Sequence, residues 1–317
     1  MKKLVSLVLA LMFCLSCVSA LAAEAWTVTC PWAPSGVAAM VNQKAASLST
    51  TYSQDYVLVA NAEKGDTATI NSWLTKYTEA DPQMCFIGEG MFGITAILDP
   101  ERMNFTYDDF EYVENLYSSI FVASARKELG ITSIDALKAY LEEGNQIMVG
   151  TNGATGSEAF LAAALIGAMG YGDQFYLIPY ESAAEAAQAV ARGEVDIAVS
   201  HQSQILETWQ QGGVDVFAAF DGEPIAQGPF KGVEGVGQYG YPYFRNRCFI
   251  FAKAGADEQK IADLKALYAQ ILTDEEMVDW LNNTMLLEAD MMTEEEVIAH
   301  IDNVKNIVEE YYDLVAE

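Results

Sequence analysis

Short apolar runs alternate with stretches of helical periodicity along most of the chain. The first pair is an apolar strand at Trp26–Cys30 followed by a helical pattern at Val37–Leu48. Nearly continuous apolar strands that alternate with helices are typical of mostly parallel sheets covered on both faces. The strands are too numerous for one compact sheet, so we expect an α/β protein of two lobes with a cleft between them.

The same pattern predicts the remaining elements. Further strands are predicted at Tyr56–Ala60, Met84–Gly88, Ile120–Ala125, Ile147–Gly150, Phe175–Pro179, Val195–Ser200, Val214–Phe220 and Cys248–Ala252. Residues 221–243 are rich in Gly, Pro and aromatic residues and show no clear period. Three helices are predicted after the last strand, at Glu258–Leu272, Asp274–Asn283 and Thr293–Val315.

The N-terminus has the pattern of a secretory signal. Lys2 and Lys3 precede an apolar run from Leu4 to Leu15, and small residues follow up to Ala23. This order predicts a signal peptide over residues 1–23 and an exported, periplasmic protein. Lipid attachment at Cys17 stays open, although Cys14 stands where a lipid-attachment motif carries an aliphatic residue.

The chain is strongly acidic, with a formal net charge of −28. This charge argues against a nucleic-acid partner and against an anionic membrane surface. It also repels an anionic ligand, so local geometry must hold one. Outside the predicted signal, Cys30, Cys85 and Cys248 lie in or beside apolar strands, which favours buried free thiols and leaves a Cys30–Cys85 bridge open.

Three loops share a layout that suits ligand binding. They are Pro31–Gly36, Gly88–Gly93 and Gly150–Ser157, and each follows a strand and precedes a helix. Open α/β sheets bind ligands at the carboxyl ends of their strands, where free backbone N–H groups at helix N-termini hold anions. None of the loops matches a P-loop or a dinucleotide-binding motif.

The order of several short motifs resembles a known family. Pro31–Gly36 is similar to a Pro-Phe-Ala-Pro-Gly-Gly loop, Gly150–Gly153 to Gly-Ser-Ser-Gly, Ile178–Tyr180 to Val-Pro-Tyr, and Gly193–Ile197 to a Gly-x-Val-Asp pattern. In this order, over nearly all of the mature chain, they resemble the extracytoplasmic substrate-binding proteins of tripartite tricarboxylate transporters, called Bug receptors.

The resemblance implies a two-lobed, type II-like periplasmic-binding-protein fold that closes on a small carboxylate. We expect one lobe from residues 24–121 with 249–317, and a second from residues 122–248. The first and third loops would hold the carboxylate, largely through backbone N–H groups. The partners implied are a carboxylate ligand and the permease subunits of a membrane transporter. We expect a monomer that uses neither a cofactor nor a metal.

The expected ligand-binding residues follow from the three loops and two later strand ends. They are Trp32, Ala33, Pro34, Ser35, Gly36, Glu89, Gly90, Met91, Thr151, Asn152, Gly153, Ala154, Thr155, Tyr180, His201 and Gln202. The chain departs from the family near Ala39, where members that bind amino acids carry an Asp, and this argues against an amino-acid ligand. Glu89 and His201-Gln202 are further departures.

Several roles stay open at this point. Trp32 is expected either to wall the pocket or to belong to a lobe core, and Glu89 either to meet the ligand or to be a solvated acid. His201 is expected to contact the ligand or to make local hydrogen bonds; a ligand contact would change affinity between about pH 5.5 and 7.5.

The sequence favours a binding protein over an enzyme. It contains neither a G-x-S-x-G nucleophile elbow nor an H-E-x-x-H motif, and no residue is assigned a catalytic role. Two other functions are considered: a receptor that presents its ligand to a membrane sensor kinase, and an exported hydrolase.

Overall fold

The computed structural model describes residues 23–315. Residues 1–22 of the predicted signal peptide, with Cys17, therefore lie outside the described residues. Within the described part, no helix combines the length and the apolar composition needed to cross a membrane.

Five strands form the first sheet, in the spatial order β2-β1-β3-β10-β4. They are β1 (Glu24–Cys30), β2 (Tyr56–Ala62), β3 (Gln83–Gly88), β4 (Phe110–Ser119) and β10 (Asn246–Lys253). β1 pairs in parallel with β2 and β3, and β10 runs antiparallel to both β3 and β4. Four strands therefore point the same way, and only the late strand β10 is reversed.

The second sheet repeats this plan with the order β7-β6-β8-β5-β9. Its strands are β5 (Phe121–Arg126), β6 (Ile147–Asn152), β7 (Phe175–Tyr180), β8 (Ile197–His201) and β9 (Val214–Ala219). Here β5 is the reversed strand, between β8 and β9. In each sheet the reversed strand is the first that the chain enters after crossing from the other sheet. The predicted α/β fold with two mostly parallel sheets is confirmed.

Nine longer helices cover the sheets within residues 23–315. They are α1 (Val37–Tyr52), α2 (Thr67–Lys76), α3 (Ile134–Glu142), α4 (Ser157–Ala168), α5 (Ala183–Arg192), α6 (Gln202–Gln210), α7 (Glu258–Leu272), α8 (Glu275–Asp279) and α9 (Glu294–Tyr311). Serine and threonine side chains cap several of them: Ser133 accepts from Ala136 N, and Thr293 accepts from Glu296 N. A π-helical turn at Met91–Thr95 follows β3 and leads into a short helix at Ala96–Leu98.

Strand β4 was not predicted from the sequence. Its segment carries Glu114 and Asn115 at buried positions, which interrupts the apolar run. The structure pairs these groups: the Glu114 carboxyl accepts from the backbone N–H groups of Asn115 and Met292 and from the Tyr112 hydroxyl. A buried polar side chain is tolerated when its hydrogen bonds are made, so composition alone misplaces this strand.

The three cysteines of the described chain, Cys30, Cys85 and Cys248, are free and buried. The prediction of buried thiols is confirmed, and no bridge joins Cys30 to Cys85. Burial raises the pKa of the Cys30 thiol to about 11, so it is protonated at neutral pH.

Helix α9 packs against the cores of both sheets. Val297 and Ile301 join the aromatic cluster beneath the first sheet, whereas Val304, Ile307 and Val308 join the core of the second. Gly93, in the π-helical turn, lies directly under this helix: a Cβ there would sit 2.5 Å from Val304 Cγ1 and 2.9 Å from Val304 Cβ. The missing side chain lets α9 approach the end of β3.

We expect Gly93→Val to destabilise the protein by roughly 1–3 kcal/mol, because the added methyl groups overlap α9. Urea unfolding would measure this change in the free energy of unfolding. Gly90→Ala is the matched control, since a Cβ at Gly90 meets its nearest atoms at ordinary distances of 3.6 and 3.7 Å. Equal stability of the two variants would contradict the close packing of α9 on this turn.

Candidate functional site

A cleft of about 760 Å³ opens between the two sheets. Strand-to-helix segments from both sheets line it, including those after β1 and β3 on one side and those after β6, β7 and β8 on the other. The cleft therefore lies at the carboxyl ends of the parallel strands, where α/β folds place their ligands. The N-termini of four helices, α1, α4, α5 and α6, reach its wall.

The first loop forms a tight turn at one edge of the cleft. Gly36 N donates to Ala33 O at 2.8 Å, and Trp32, Ala33, Ser35 and Gly36 line the cleft. The Trp32 ring packs on the end of β3: a Cβ at Gly88 would lie 3.3 Å from its Cη2 atom. Trp32 thus contacts the core beneath the sheet and also forms part of the cleft wall.

The second loop carries a buried carboxylate that links three segments. Glu89 is 1% exposed. Its carboxyl accepts from Asn246 Nδ2 and Arg247 N at 2.9 Å and from Ser157 Oγ at 3.3 Å. Desolvation raises the pKa of Glu89, and these hydrogen bonds oppose the rise. Glu89 is therefore not a solvated loop acid; it joins β3, β10 and the start of α4.

The third loop presents backbone and side-chain donors to the cleft. Asn152, Gly153, Ala154 and Thr155 line it. Gly153 adopts a φ of +73°, which favours glycine, and its N–H donates to Tyr180 O at 3.0 Å. Thr151 is fully buried, and its hydroxyl donates to Gly153 O at 2.8 Å.

Two neighbours hold the His201 ring at the far end of the cleft. Its Nδ1 lies 2.7 Å from Ser119 Oγ, and the ring stacks on Phe121 with centroids 4.5 Å apart. Desolvation lowers the pKa of His201 to about 4. The imidazole is therefore neutral between pH 5.5 and 7.5, and the titration expected there from the sequence moves to more acidic pH.

The structure brings together most, but not all, of the residues expected from the sequence. Pro34, Thr151, Tyr180 and Gln202 do not line the cleft. Thr151 and Tyr180 each make a hydrogen bond to Gly153 that stabilises the third loop. Gln202 lines a separate small cavity of about 30 Å³ beside Ser118. Ligand contacts for the remaining residues stay a prediction.

The cleft also contains residues that sequence reasoning missed. They include Ser157 and Glu158 at the start of α4, Ser182–Ala184 at the start of α5, Gln204, Asn246 and Cys248. The helices α4 and α5 follow parallel strands, and helices in that position begin at the cleft. The sequence therefore contained a signal for the cleft position of their first turns. Asn246 gave no such signal because it follows the irregular segment at 221–243.

The charges around the cleft are mostly negative. Four acids line it, Asp66, Glu89, Glu158 and Glu181, and Arg102 is the one basic residue among its described lining. Arg102 is itself about half exposed and lies 3.6 Å from Asp66 and 3.7 Å from Asp99. The one basic side chain of this described lining therefore already has two acids beside it, in exposed ion pairs that are weak.

Glu158 is the most perturbed of these acids. It is 5% exposed, and desolvation, together with the nearby Glu89 charge, raises its pKa to about 7. Within residues 23–315, no group of three or more His, Cys, Asp or Glu side chains is arranged to hold a metal ion.

Solved structures with the same fold cover nearly the whole chain. A TctC solute-binding protein from Polaromonas, solved without ligand, has a TM-score of 0.74 at 15% identity and aligns over 90% of this chain and 98% of its own. A protein of R. palustris solved with adipate has a TM-score of 0.75 at 16% identity, with coverages of 92% and 97%. MatC from Rhodopseudomonas palustris, with bound malate, has a TM-score of 0.70 at 17% identity, with coverages of 92% and 98%.

Identities this low show a shared fold alone, and the family is shown by the sequence itself. No curated protein sequence matches the chain. The model of the tripartite tricarboxylate transporter family receptor, TctC, matches residues 54–307. This match covers every strand of the two sheets except β1 and includes the second and third loops, whereas the first loop precedes it. The chain therefore belongs to the TctC family of solute-binding receptors.

Proposed function

We propose that this protein captures a small organic carboxylate in the cleft and delivers it to the permease of a tripartite tricarboxylate-type transporter. The observation that carries the proposal is the N-terminus of α1. Its N-cap, Gly36, makes no side-chain hydrogen bond, and its first turn contains no acidic residue. The backbone N–H groups of that turn thus remain available to an anion.

The N-terminus of α1 compensates for the acidity of the protein. Aligned peptide dipoles place roughly half a positive charge at a helix N-terminus, and the effect is confined to the first turn. A carboxylate can therefore bind there without a basic side chain, although the chain as a whole carries a net charge of −28. That relatives of the same fold were solved with malate and adipate supports the same ligand class.

We also propose that binding closes two lobes, residues 24–121 with 249–317 and residues 122–248. The chain passes from the first sheet to the second at Ser119–Phe121, and it returns to the first sheet in the segment that enters β10. These two segments are the crossings between the sheets. Arg245 lies beside both crossings; its guanidinium donates to Asp221 and Glu288 and lies 3.3 Å from Ser118 Oγ. Closure would bring the third loop onto a ligand held by the first.

Export fits this role. We propose that residues 1–23 are removed as a signal peptide and that the receptor acts in the periplasm. Delivery to a permease predicts that cells lacking this receptor lose uptake of its ligand and regain it only with a binding-competent copy.

We expect Gly153→Val to weaken carboxylate binding at least about tenfold, because a branched side chain at this positive φ distorts the third loop at the cleft. A thermal-shift screen over mono-, di- and tricarboxylates, amino acids and aromatic acids would identify a stabilising ligand in the unmodified protein and then test the variant.

Gly130→Val is the matched control. Gly130 has a φ of +67°, and a Cβ added there, as at Gly153, would meet no atom within 4 Å, but Gly130 lies outside the cleft. Both variants should lose a similar amount of stability, roughly 1–2 kcal/mol. Ligand stabilisation that survives in Gly153→Val would remove the third loop from the site, and a screen without any carboxylate hit would contradict the proposed function.

A further inference from the structure

The Glu158 carboxyl lies over the N-terminus of its own helix. Glu158 is the second residue of α4 and is almost fully buried, yet it lines the cleft. Its Oε2 lies 3.3 Å from the position that a Cβ on Gly156 would take, so the side chain folds back across the helix start. Gly156, the N-cap, provides no side-chain oxygen for this turn. The carboxyl of Glu158 therefore stands where an external anion would otherwise meet α4.

Glu158 differs from Glu89 in how its oxygens are used. Three donors hold the Glu89 carboxyl. Hydrogen bonds from the Asn152 side chain and from the backbone N–H of Glu158 itself lower its pKa. A carboxylate can accept about four hydrogen bonds, so Glu158 is a buried acceptor that lines the cleft and has capacity left for a donor.

The helices around the cleft are consequently not equivalent. The first turns of α1 and α6 contain no acid, whereas α4 carries Glu158, and α5 carries Glu185 and a Ser182 cap. A carboxylate in the first turn uses the positive end of the dipole internally. The α1 side of the cleft favours an anion, and the α4 side favours a hydrogen-bond donor or a cation.

The net charge of the cleft also favours a ligand that carries an ammonium group. A dicarboxylate would bring two negative charges to a cleft that already holds Glu89 and Glu158, and Arg102, the one basic residue of its described lining, already lies beside Asp66 and Asp99. A ligand with one carboxylate and one ammonium group adds no net charge. Its ammonium supplies up to three donors to a carboxylate that still has free acceptor positions.

We propose that the ligand carries one carboxylate and one protonated amine, with the carboxylate at the N-terminus of α1 and the ammonium at the Glu158 carboxyl. This inference rests on the proposed carboxylate function and narrows its ligand class to amino acids and short amino carboxylates. The alanine at position 39 argues against such a ligand on the first loop, but Glu158 supplies the acid from the third.

Paired probes test the requirement for the amine. L-alanine and propionate, L-leucine and 4-methylpentanoate, and 4-aminobutyrate and butyrate differ only by the amino group, and succinate, malate and adipate represent dicarboxylates. We expect at least one amino member to bind about tenfold or more tightly than its amine-free partner and than the dicarboxylates, by isothermal titration calorimetry.

Three outcomes separate the two claims. An amine preference supports the inference. Equal or tighter binding of amine-free acids or dicarboxylates overturns it and leaves the carboxylate function standing. If no member of the panel binds, both the inference and the proposed function are overturned.

Glu158→Gln tests the residue itself. The amide keeps the shape but removes the negative charge, so the amine preference should fall by about tenfold and dicarboxylates should bind more tightly. The matched control is Glu185→Gln, which removes an exposed acid from the first turn of α5 outside the cleft lining and should keep the preference. An unchanged preference in Glu158→Gln overturns the inference; thermal unfolding confirms that both variants are folded.

The pH dependence of the unmodified protein gives a test that needs no variant. With a pKa of about 7 in the free protein, Glu158 is mostly protonated at pH 6 and mostly ionised at pH 8. An ammonium ligand requires the ionised form, so its affinity should rise about tenfold between these pH values. An amino carboxylate whose affinity stays constant or falls over this range overturns the inference, because its ammonium would then not depend on ionised Glu158.

The other ionisable groups around the cleft set the background for this profile. They are Asp66, Glu89, Arg102, Tyr117, Glu181, His201 and Cys248. The pKa of His201 is lowered to about 4, and those of Tyr117 and Cys248 are raised well above their usual values, so these three stay neutral between pH 6 and 8. Glu89 also has a raised pKa, and the profile of Glu158→Gln separates its contribution, because a slope that persists there belongs to Glu89.

Discussion

The convergence of helix N-termini on one cleft is the constraint on which the rest of this structure depends. Two sheets with four co-directional strands each point their carboxyl ends at the same space, so the following helices begin there. A helix start leaves backbone N–H groups unpaired, and these need a partner. In α5 the partner is Ser182, in α4 the chain supplies Glu158, and in α1 no side chain fills the role. Because of this difference, the α1 side of the cleft favours an anion, and the α4 side favours a hydrogen-bond donor or a cation.

The acids of the cleft affect ligand binding more than surface acids do, because they are desolvated. On the surface of so acidic a protein one more carboxylate has little effect, but Glu89 and Glu158 are almost fully buried within the cleft region. Glu89 is compensated by three donors and ties β3, β10 and α4 together at the point where the two sheets meet. Hydrogen bonds offset the desolvation of the Glu158 carboxylate only in part, and its pKa therefore rises to about 7. Glu89 therefore serves the architecture, and Glu158 is the acid to which we assign the amine of the ligand.

The sequence was sufficient to predict the fold class and to identify several loop residues that line the cleft. Apolar strands, glycine-rich turns and helical periods are local signals, and they located Trp32, Gly36 and Asn152–Thr155 on the cleft. Strand β4 was missed because its buried polar side chains are paired by distant residues. Tyr180, for which a ligand contact stays a prediction, lies outside the cleft lining, and its carbonyl accepts from Gly153 N in the third loop. Glu158 was missed because an acid in a first helical turn is ordinary in sequence, and its burial is a property of the folded chain alone.

The central claim is that this cleft selects its ligand by a carboxylate and an amine held at opposite walls. Native mass spectrometry of the receptor purified from its own periplasm, followed by release and identification of the retained small molecule, tests it most directly. The account predicts a molecule with one carboxylate and one primary or secondary amine. A retained di- or tricarboxylate without an amine would contradict the role of Glu158, and a ligand without any carboxylate would contradict the function proposed for the cleft.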